Sequence, residues 1–280
     1  MPDVRTLATG VVLGESPRWH DGRLWFADWG AGRIVALGAG GAAEPVARVE
    51  GLPISFDWLP DGRMLVVAGA EGALLRREPD GSLHPHADLT ELGDPPWNDI
   101  VVGARGNAYV GRTGFEFPAG EFAPGDIALV EPDGSARLVA DGLALPNGLA
   151  IAPDGATLVA AESYGRRLTA FDVGEGGDLA GRRVWADLGD GVPDGICLDA
   201  DGAVWYGDVP NRRCVRVREG GEVLDSVELD RGCFACMLGG DDGATLFMLA
   251  AEWGGSVASG GPPTGMVLAA PAPAPHAGRP

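Results

Sequence analysis

The chain repeats a short pattern of apolar and polar positions, seen most clearly between residues 146 and 163. The apolar run LAIA is followed by a Pro-Asp-Gly turn, the second apolar run ATLVAA and a polar end at Glu162. Two apolar runs joined by an Asp-Gly turn are typical of a β-hairpin. Because the two ends of a hairpin meet, the pattern predicts that Asn147 and Glu162 lie at the same edge of a sheet.

The same hairpin pattern occurs six times, and its turn glycine recurs every 40 to 49 residues, at Gly22, Gly62, Gly106, Gly155, Gly202 and Gly243. A repeat of this length built from hairpins is typical of a propeller blade. A further apolar strand follows each hairpin, and each repeat has room for a fourth. We therefore predict an all-β fold, a six-bladed β-propeller over residues 1–271, followed by a Pro- and Ala-rich disordered tail at 272–280.

The last repeat lacks an obvious fourth strand, because the chain becomes rich in proline after Ala270. Proline lacks the N–H group that a β-ladder needs, and an open blade would expose a bare edge. The unassigned β-prone segment of the chain runs from Val4 to Val12. We expect part of it to form the outermost strand of blade six and so to close the ring.

Composition excludes several classes of function. The net charge of −19 argues against nucleic acid and anionic membranes as partners. All 21 basic residues are Arg, so a Schiff-base lysine and a P-loop lysine are both excluded. No secretory signal or membrane-spanning run is visible, which favours a cytoplasmic location. We expect a small-molecule substrate and a monomer or weak homo-oligomer.

The four cysteines offer a weaker signal. Cys233 and Cys236 form one CxxC pair without a second pair at zinc spacing, and Cys197 lies inside an apolar strand. A zinc or redox role is possible for such a pair, but buried cysteine is commonly a small apolar residue. We interpret these side chains as part of the core.

The register of the repeats locates candidate chemistry. The entry to the first strand of each hairpin lies seven residues before the turn pair, or six in the first repeat, and these positions should form a ring around one mouth of the central channel. Four of them carry oxygen ligands: Glu15, Asn98, Asn147 and Asp194. Each could be a simple turn residue. Four oxygen-bearing side chains at the same position of four repeats instead predict a site for a divalent cation. Calcium is the first choice, and magnesium, manganese or zinc are alternatives.

A second ring is predicted at the ends of the second strands, at the same mouth. It comprises Asp28, Arg112, Glu162 and Asp208, with Ala68 and Ala250 in the other two repeats. These charged side chains either orient the ligands of the cation or simply end their strands at a solvated rim.

Four motifs in order, GESPRW from Gly14, WND from Trp97, LPNGLA from Leu145 and PDGICLDADG from Pro193, resemble the SMP-30/gluconolactonase/LRE family. The family includes regucalcin and lactonases, and the resemblance covers essentially the whole chain. It implies a six-bladed propeller and one divalent cation bound by Glu15, Asn147 and Asp194, with Asn98 acting through substrate or water.

The chain departs from the family at two positions. Ile100 replaces a glycine of the family's N-D-G motif, and Pro96 stands where sugar-lactonases often carry an arginine that contacts substrate hydroxyls. The second departure argues against a sugar-acid lactone and leaves the predicted metal site intact.

The resulting hypothesis is metal-dependent hydrolysis of a lactone or related cyclic ester. Asp194 is the predicted ligand and general base, Asn98 orients substrate or oxyanion, and Asp99 and Asp208 are alternative bases. Arg112 and Glu116 join Asn98 as predicted substrate-binding residues.

Two rival classes of function share this scaffold. One is a metal-dependent esterase, phosphotriesterase or biosynthetic enzyme, and the other is a binding protein with a structural cation. Phe115, Glu116, Phe117 and Phe122 lie in one loop at the mouth. They form either a lid over an apolar substrate part or a loop packed on its own blade.

Overall fold

The computed structural model describes residues 3–38, 41–253 and 263–278. In these ranges, 24 strands form six four-stranded antiparallel sheets, the blades of a six-bladed β-propeller. The described helices are three-residue 3-10 turns at Trp29–Ala31, Gly69–Glu71 and Thr90–Leu92. None of them is long and apolar enough to cross a membrane. The predicted fold class is confirmed.

Each of blades one to three takes four consecutive strands, ordered from the channel outward. Blade one contains β2 (Gly14–His20), β3 (Arg23–Asp28), β4 (Arg33–Leu37) and β5 (Ala43–Arg48). Blade two contains β6 (Ile54–Trp58), β7 (Met64–Ala68), β8 (Ala73–Arg77) and β9 (Leu83–Asp88). Blade three contains β10 (Trp97–Val102), β11 (Ala108–Arg112), β12 (Gly125–Val130) and β13 (Ala136–Leu143).

Blades four and five follow the same plan, whereas blade six takes its outer strand from the start of the chain. Blade four contains β14 (Pro146–Ile151), β15 (Thr157–Glu162), β16 (Arg167–Val173) and β17 (Leu179–Asp187). Blade five contains β18 (Pro193–Leu198), β19 (Val204–Asp208), β20 (Arg213–Val217) and β21 (Val223–Glu228). Blade six contains β22 (Gly232–Gly239), β23 (Thr245–Ala251), β24 (Gly265–Pro271) and β1 (Arg5–Val11).

The pairing of β1 with β24 confirms the predicted closure of the ring. The two strands run antiparallel, with Arg5 opposite Ala269 and Val11 opposite Gly265. Val11 is buried and packs in one cluster with Leu249 and Val267. The first strand therefore covers the edge that an open blade would expose.

The innermost strands β2, β6, β10, β14, β18 and β22 contact their neighbours in turn and surround the central channel. All six turn glycines of the inner hairpins have positive φ, from 70° at Gly22 to 86° at Gly106. Glycine adopts this conformation without a steric penalty, which explains the regular spacing of glycine along the sequence. These turns lie at the end of the channel opposite the mouth where the inner strands begin.

The C-terminal segment differs from the expected disordered tail in residues 272–278. The N–H groups of Ala272 and His276 donate to the carbonyls of Ala244 and Gly243, and Pro275 accepts a hydrogen bond from the N–H of Ala200. The segment thus spans the hairpin turns of blades five and six. The prolines of PAPAPHAG alternate with residues that have N–H groups, and a proline carbonyl is a full acceptor.

The four cysteines come together between blades five and six. All are free thiols within one hydrophobic cluster, and the Sγ atoms of Cys197 and Cys236 lie 4.0 Å apart. Burial raises the pKa of Cys197 well above its usual value. These thiols therefore behave as apolar core groups, in agreement with the interpretation of Cys197 from the sequence.

Candidate active site at the channel mouth

The four predicted ligand residues all stand at the start of an inner strand, on one mouth of the channel. In blade four, Pro146 pairs with Glu162 and Leu149 with Ala160, so two residues of β14 face one of β15. The same irregularity follows Trp97 in blade three and Pro193 in blade five, whereas the pairing in blade two is regular. A β-bulge re-aims a side chain, and here it occurs where Asn98, Asn147 and Asp194 stand.

Glu15 and Asp194 bring two carboxyl groups close together in a dry environment. Glu15 is buried, and burial together with the carboxylate of Asp194 raises the pKa of Glu15 well above its usual value. Burial and the charge of Asp99 raise the pKa of Asp194 to about 8. Oδ1 of Asp194 is buried and has no hydrogen-bond partner. Glu15 accepts one hydrogen bond, from the N–H of Ser16, so an ionised pair here is only partly compensated.

Two amides complete the ring. The Nδ2 group of Asn98 donates to Oδ1 of Asn147 over 3.1 Å, and Nδ2 of Asn147 donates to Oγ of Ser163 over 3.3 Å. The hydroxyl of Ser163 donates in turn to the carbonyl of Pro193, over 2.7 Å. This chain of bonds fixes the orientation of both amides, with the Asn98 nitrogen toward the Asn147 oxygen. The sequence pattern did not predict a role for Ser163, although this residue directly follows Glu162 of the second ring.

Beneath the ring lies a buried guanidinium that the sequence did not single out. Arg18 is 5% exposed and donates to the carbonyls of Pro17 and Ile100. Its nitrogens lie 3.8 Å from a carboxylate oxygen of Asp57 and 3.6 Å from Oδ1 of Asp99. Arg18 is part of the GESPRW motif, and this membership is the sequence feature that could have placed it at the site.

Asp99 is held by this lower layer. Its Oδ2 accepts a hydrogen bond from the N–H of Leu149, over 2.9 Å. Burial raises the pKa of Asp99, and the Arg18 guanidinium partly offsets that effect. The side chain of Asp99 therefore links β10 to β14 below the ring.

The donor set fits a hard divalent cation. Four carboxyl groups, those of Glu15, Asp57, Asp99 and Asp194, lie in this part of the channel, and the Arg18 guanidinium lies within 4 Å of two of them, Asp57 and Asp99. A dication would offset the excess negative charge and would give the free Oδ1 of Asp194 a partner. Among residues 3–38, 41–253 and 263–278, no group of three or more His, Cys, Asp or Glu is placed to hold a metal. The site therefore depends on amide oxygens as well as carboxylates.

The second ring supports the loops that lead into the ligand-bearing strands. Asp28 accepts hydrogen bonds from the N–H groups of Val12 and Leu13, just before Glu15. In blade four, Glu162 accepts from the N–H of Ala144. In blade five, Asp208 accepts from the N–H of Val192 over 3.3 Å.

Each of these carboxylates is also paired with an arginine five residues later, namely Arg33, Arg167 and Arg213. Blades two and six, whose ring positions Ile54 and Ala235 carry no oxygen ligand, have alanine at the corresponding second-ring positions. The charged second ring thus accompanies the ligand-bearing strands. The side chains of the second ring bond to the entry loops of blades one, four and five, and so position the backbone that leads into the ligand-bearing strands.

Arg112 is the second-ring residue of blade three, with the charge reversed. Its Nε and Nη2 donate to Oδ2 of Asp126, and its Nη1 donates to the carbonyl of Asp94. The reversal has a physical cause, because the entry loop of this blade is Pro95-Pro96 and has no N–H to offer a carboxylate. The guanidinium of Arg112 is thus held by Asp126 and Asp94, and the predicted contact of Arg112 with substrate stays a prediction.

The loop between β11 and β12 lies at the same mouth. Phe115 is buried in the loop, whereas Glu116 and Phe117 are exposed. Phe117 contacts Tyr164 in blade four and Trp253 in blade six, with ring centroids 6.3 and 6.1 Å apart. The loop therefore extends beyond its own blade, as expected for a lid.

Comparison with known proteins agrees with this architecture. The pentonolactonase XacC of Haloferax volcanii is 25% identical over 257 residues, covering 81% of this chain and 84% of that protein. Regucalcin of Xenopus laevis is 28% identical over 252 residues, covering 85% and 83%.

Among solved structures, a calcium-binding protein, regucalcin from Agrobacterium tumefaciens strain C58, superposes with a TM-score of 0.80. The alignment has 22% identity and covers 99% of this chain and 96% of that one, which shows a shared fold. The profile described as the SMP-30/Gluconolactonase/LRE-like region matches residues 13–252. With the propeller, the ring of oxygen ligands and this match in place, the chain belongs to the SMP-30/gluconolactonase/LRE-like family.

Proposed function

We propose that this chain is a lactonase-type hydrolase that opens a lactone or related cyclic ester at the mouth of its central channel, with a divalent cation as cofactor. The observation that carries the proposal is the pair of buried carboxyl groups of Glu15 and Asp194, with raised pKa values and an unpartnered oxygen, beside two oriented amides. Relatives named as lactonases support the reaction class.

Glu15, Asn147 and Asp194 would hold the cation, and a bound cation would polarise the substrate carbonyl and lower the pKa of water. Calcium is the first ion to test because all donors are oxygens, and magnesium, manganese and zinc are alternatives. A cytoplasmic location and a monomer or weak homo-oligomer remain part of the proposal.

Asp194 and Asn98 have different roles in the proposed reaction. Asp194 removes a proton from the attacking water, whose oxygen bonds to the carbonyl carbon. The ring C–O bond then breaks, and the proton passes to the leaving oxygen to give the hydroxy acid. Asn98 uses one amide hydrogen on Asn147, and its second is free to stabilise the negative oxygen of the intermediate.

The test is turnover of a panel of lactones, aryl esters and phosphotriesters by EDTA-treated protein, before and after addition of each cation. Lactone hydrolysis should return with the cation. Glu15→Gln, Asn147→Ala and Asp194→Asn should each lower kcat/KM by about 100-fold or more, the scale of losing an electrostatic stabiliser. Asp172→Asn is the matched control, because that carboxylate is exposed and paired with Arg183 on an outer strand pair.

Three outcomes would contradict the proposal. Turnover of only phosphotriesters or aryl esters would assign another hydrolase. A cation that raises Tm without turnover of any substrate would identify a binding protein. Full lactone turnover in EDTA would show that the reaction does not need a cation.

A further inference from the structure

Five aromatic side chains form a cluster over the channel mouth, which we call the aromatic roof: Phe115, Phe117, Phe122, Tyr164 and Trp253. Their ring centroids lie 5.6 to 6.3 Å from their neighbours, within the range of attractive aromatic pairs. Trp253 also contacts the buried Phe234 at the start of β22, over 5.6 Å.

The roof crosses the mouth. Phe117 belongs to the loop after β11 in blade three, and Trp253 follows β23 in blade six, so the two blades are opposite in a closed ring of six. Their rings nevertheless lie 6.1 Å apart. Tyr164 directly follows Ser163, whose hydroxyl holds the amide of Asn147. The roof therefore lies above the ring of oxygen ligands.

Much of this aromatic surface is open to solvent. Phe117, Phe122, Tyr164 and Trp253 are 40%, 49%, 51% and 59% exposed, although each packs against another ring. A contiguous exposed apolar patch of this kind typically marks a binding surface. Its place above the candidate reaction centre favours the substrate itself as the occupant.

The predicted sugar-contact positions of blade three offer few free polar groups to a polyol. The guanidinium of Arg112 is held by Asp126 and the carbonyl of Asp94, and Pro96 has no polar side chain. Sugar hydroxyls placed against the roof would lose water without regaining hydrogen bonds, which is costly. A flat apolar group would instead stack on the rings.

We infer that the aromatic roof binds a planar apolar substituent of the substrate, so that this enzyme prefers aryl-substituted lactones to sugar lactones. The inference rests on the proposed lactonase function. It assigns a specificity site to Phe117, Tyr164 and Trp253.

The test compares γ-phenyl-γ-butyrolactone with its γ-methyl analogue and with glucono-δ-lactone. For the unmodified protein, kcat/KM should be about tenfold higher for the phenyl than for the methyl lactone, as expected for one well-filled apolar subsite. Phe117→Ala and Trp253→Ala should bring this ratio close to one, chiefly through KM. Trp253→Phe should keep most of it, because a ring remains. Val184→Ala, at a 57% exposed position on outer strand β17, is the matched control.

A binding measurement separates failure of this inference from failure of the proposed function. Calorimetry should detect 4-hydroxy-4-phenylbutanoate, the product of the phenyl lactone, and Phe117→Ala and Trp253→Ala should weaken its binding about tenfold. Binding without turnover of any lactone would overturn the proposed function and keep the aromatic subsite. Turnover with equal ratios in all variants, or a preference for gluconolactone, would overturn the inference. Unchanged Tm values of the variants would confirm that they fold.

Discussion

The carboxyl group of Asp194 stands in the channel with one unpartnered oxygen, and its pKa is raised to about 8 by burial and by the charge of Asp99. In the unfolded chain an aspartate titrates near pH 4, so the folded protein keeps its proton to a higher pH. The native state therefore binds more protons between these two values. By linkage, this group makes the cation-free protein less stable as pH rises through that window.

The first prediction follows from this decrease in stability with rising pH. In EDTA, Tm of the unmodified protein should fall between about pH 5 and 8 by about 2–4 °C for each kcal/mol of lost stability. Asp194→Asn should show a flatter dependence, because its amide does not ionise. Thermal unfolding at a series of pH values measures both. Parallel curves for the two proteins would show that Asp194 does not titrate in this window.

At the scale of elements, each ligand-bearing inner strand is entered through a loop held by a charged residue at the end of the second strand. In blade four, Glu162 is fully buried and accepts from the N–H of Ala144 and from Arg167. In blade three the same position is Arg112, which donates to the carbonyl of Asp94. Because Pro95 and Pro96 offer no N–H, only a donor can hold that loop.

The second prediction tests this reversal. Arg112→Ala should destabilise the protein by about 3 kcal/mol, because the buried carboxylate of Asp126 loses its partner. Arg112→Glu should be worse, since two carboxylates would then face each other. The exchange Arg112→Glu with Asp126→Arg should recover the ion pair and only part of the stability. Denaturant unfolding gives the values, and full recovery by the exchange would refute the role of the prolines.

At the scale of the whole molecule, the two ends of the chain act at opposite ends of the channel. β1 completes blade six and continues through Val12 and Leu13, which Asp28 holds, to Glu15. The C-terminal segment instead bonds to the hairpin turns near Ala200 and Gly243, away from the mouth.

The third prediction compares two truncations. Removing residues 2–10 should lower both Tm and cation affinity, because it opens blade six and frees the strand that leads to Glu15. Removing residues 272–280 should lower Tm and leave cation affinity unchanged, since its contacts lie at the opposite end of the channel. Thermal unfolding and calorimetric titration with the cation distinguish the two effects. Equal losses of affinity would mean that the ends of the chain are coupled through the whole ring.

The outer strands show where the sequence signal was weak. β5 and β9 contain Pro45 and Pro85 and are largely exposed, and neither contains a sustained run of apolar residues. Edge strands need no buried face, and proline is tolerated there because one side of the ladder is open. Inner strands must bury side chains on both faces, which made their hairpins visible.

The sequence by itself determined the blade count, the closure by the first strand and the phase that puts Glu15, Asn98, Asn147 and Asp194 on one mouth. The blade count and the phase depend on neighbours in the chain, because turns need glycine at positive φ and strands need apolar runs. The closure followed from the missing fourth strand of the last repeat, which only the unassigned segment at the start of the chain could supply. Only the tertiary structure decided the partner of Arg112, the place of Arg18 beneath the ring and the contact of Phe117 with Trp253. Arg18 and Asp99, and likewise Phe117 and Trp253, lie far apart in sequence and meet only when the ring of blades closes. Arg112 instead meets Asp126 across the β11–β12 pairing of one blade, which the sequence pattern does not specify by side-chain type.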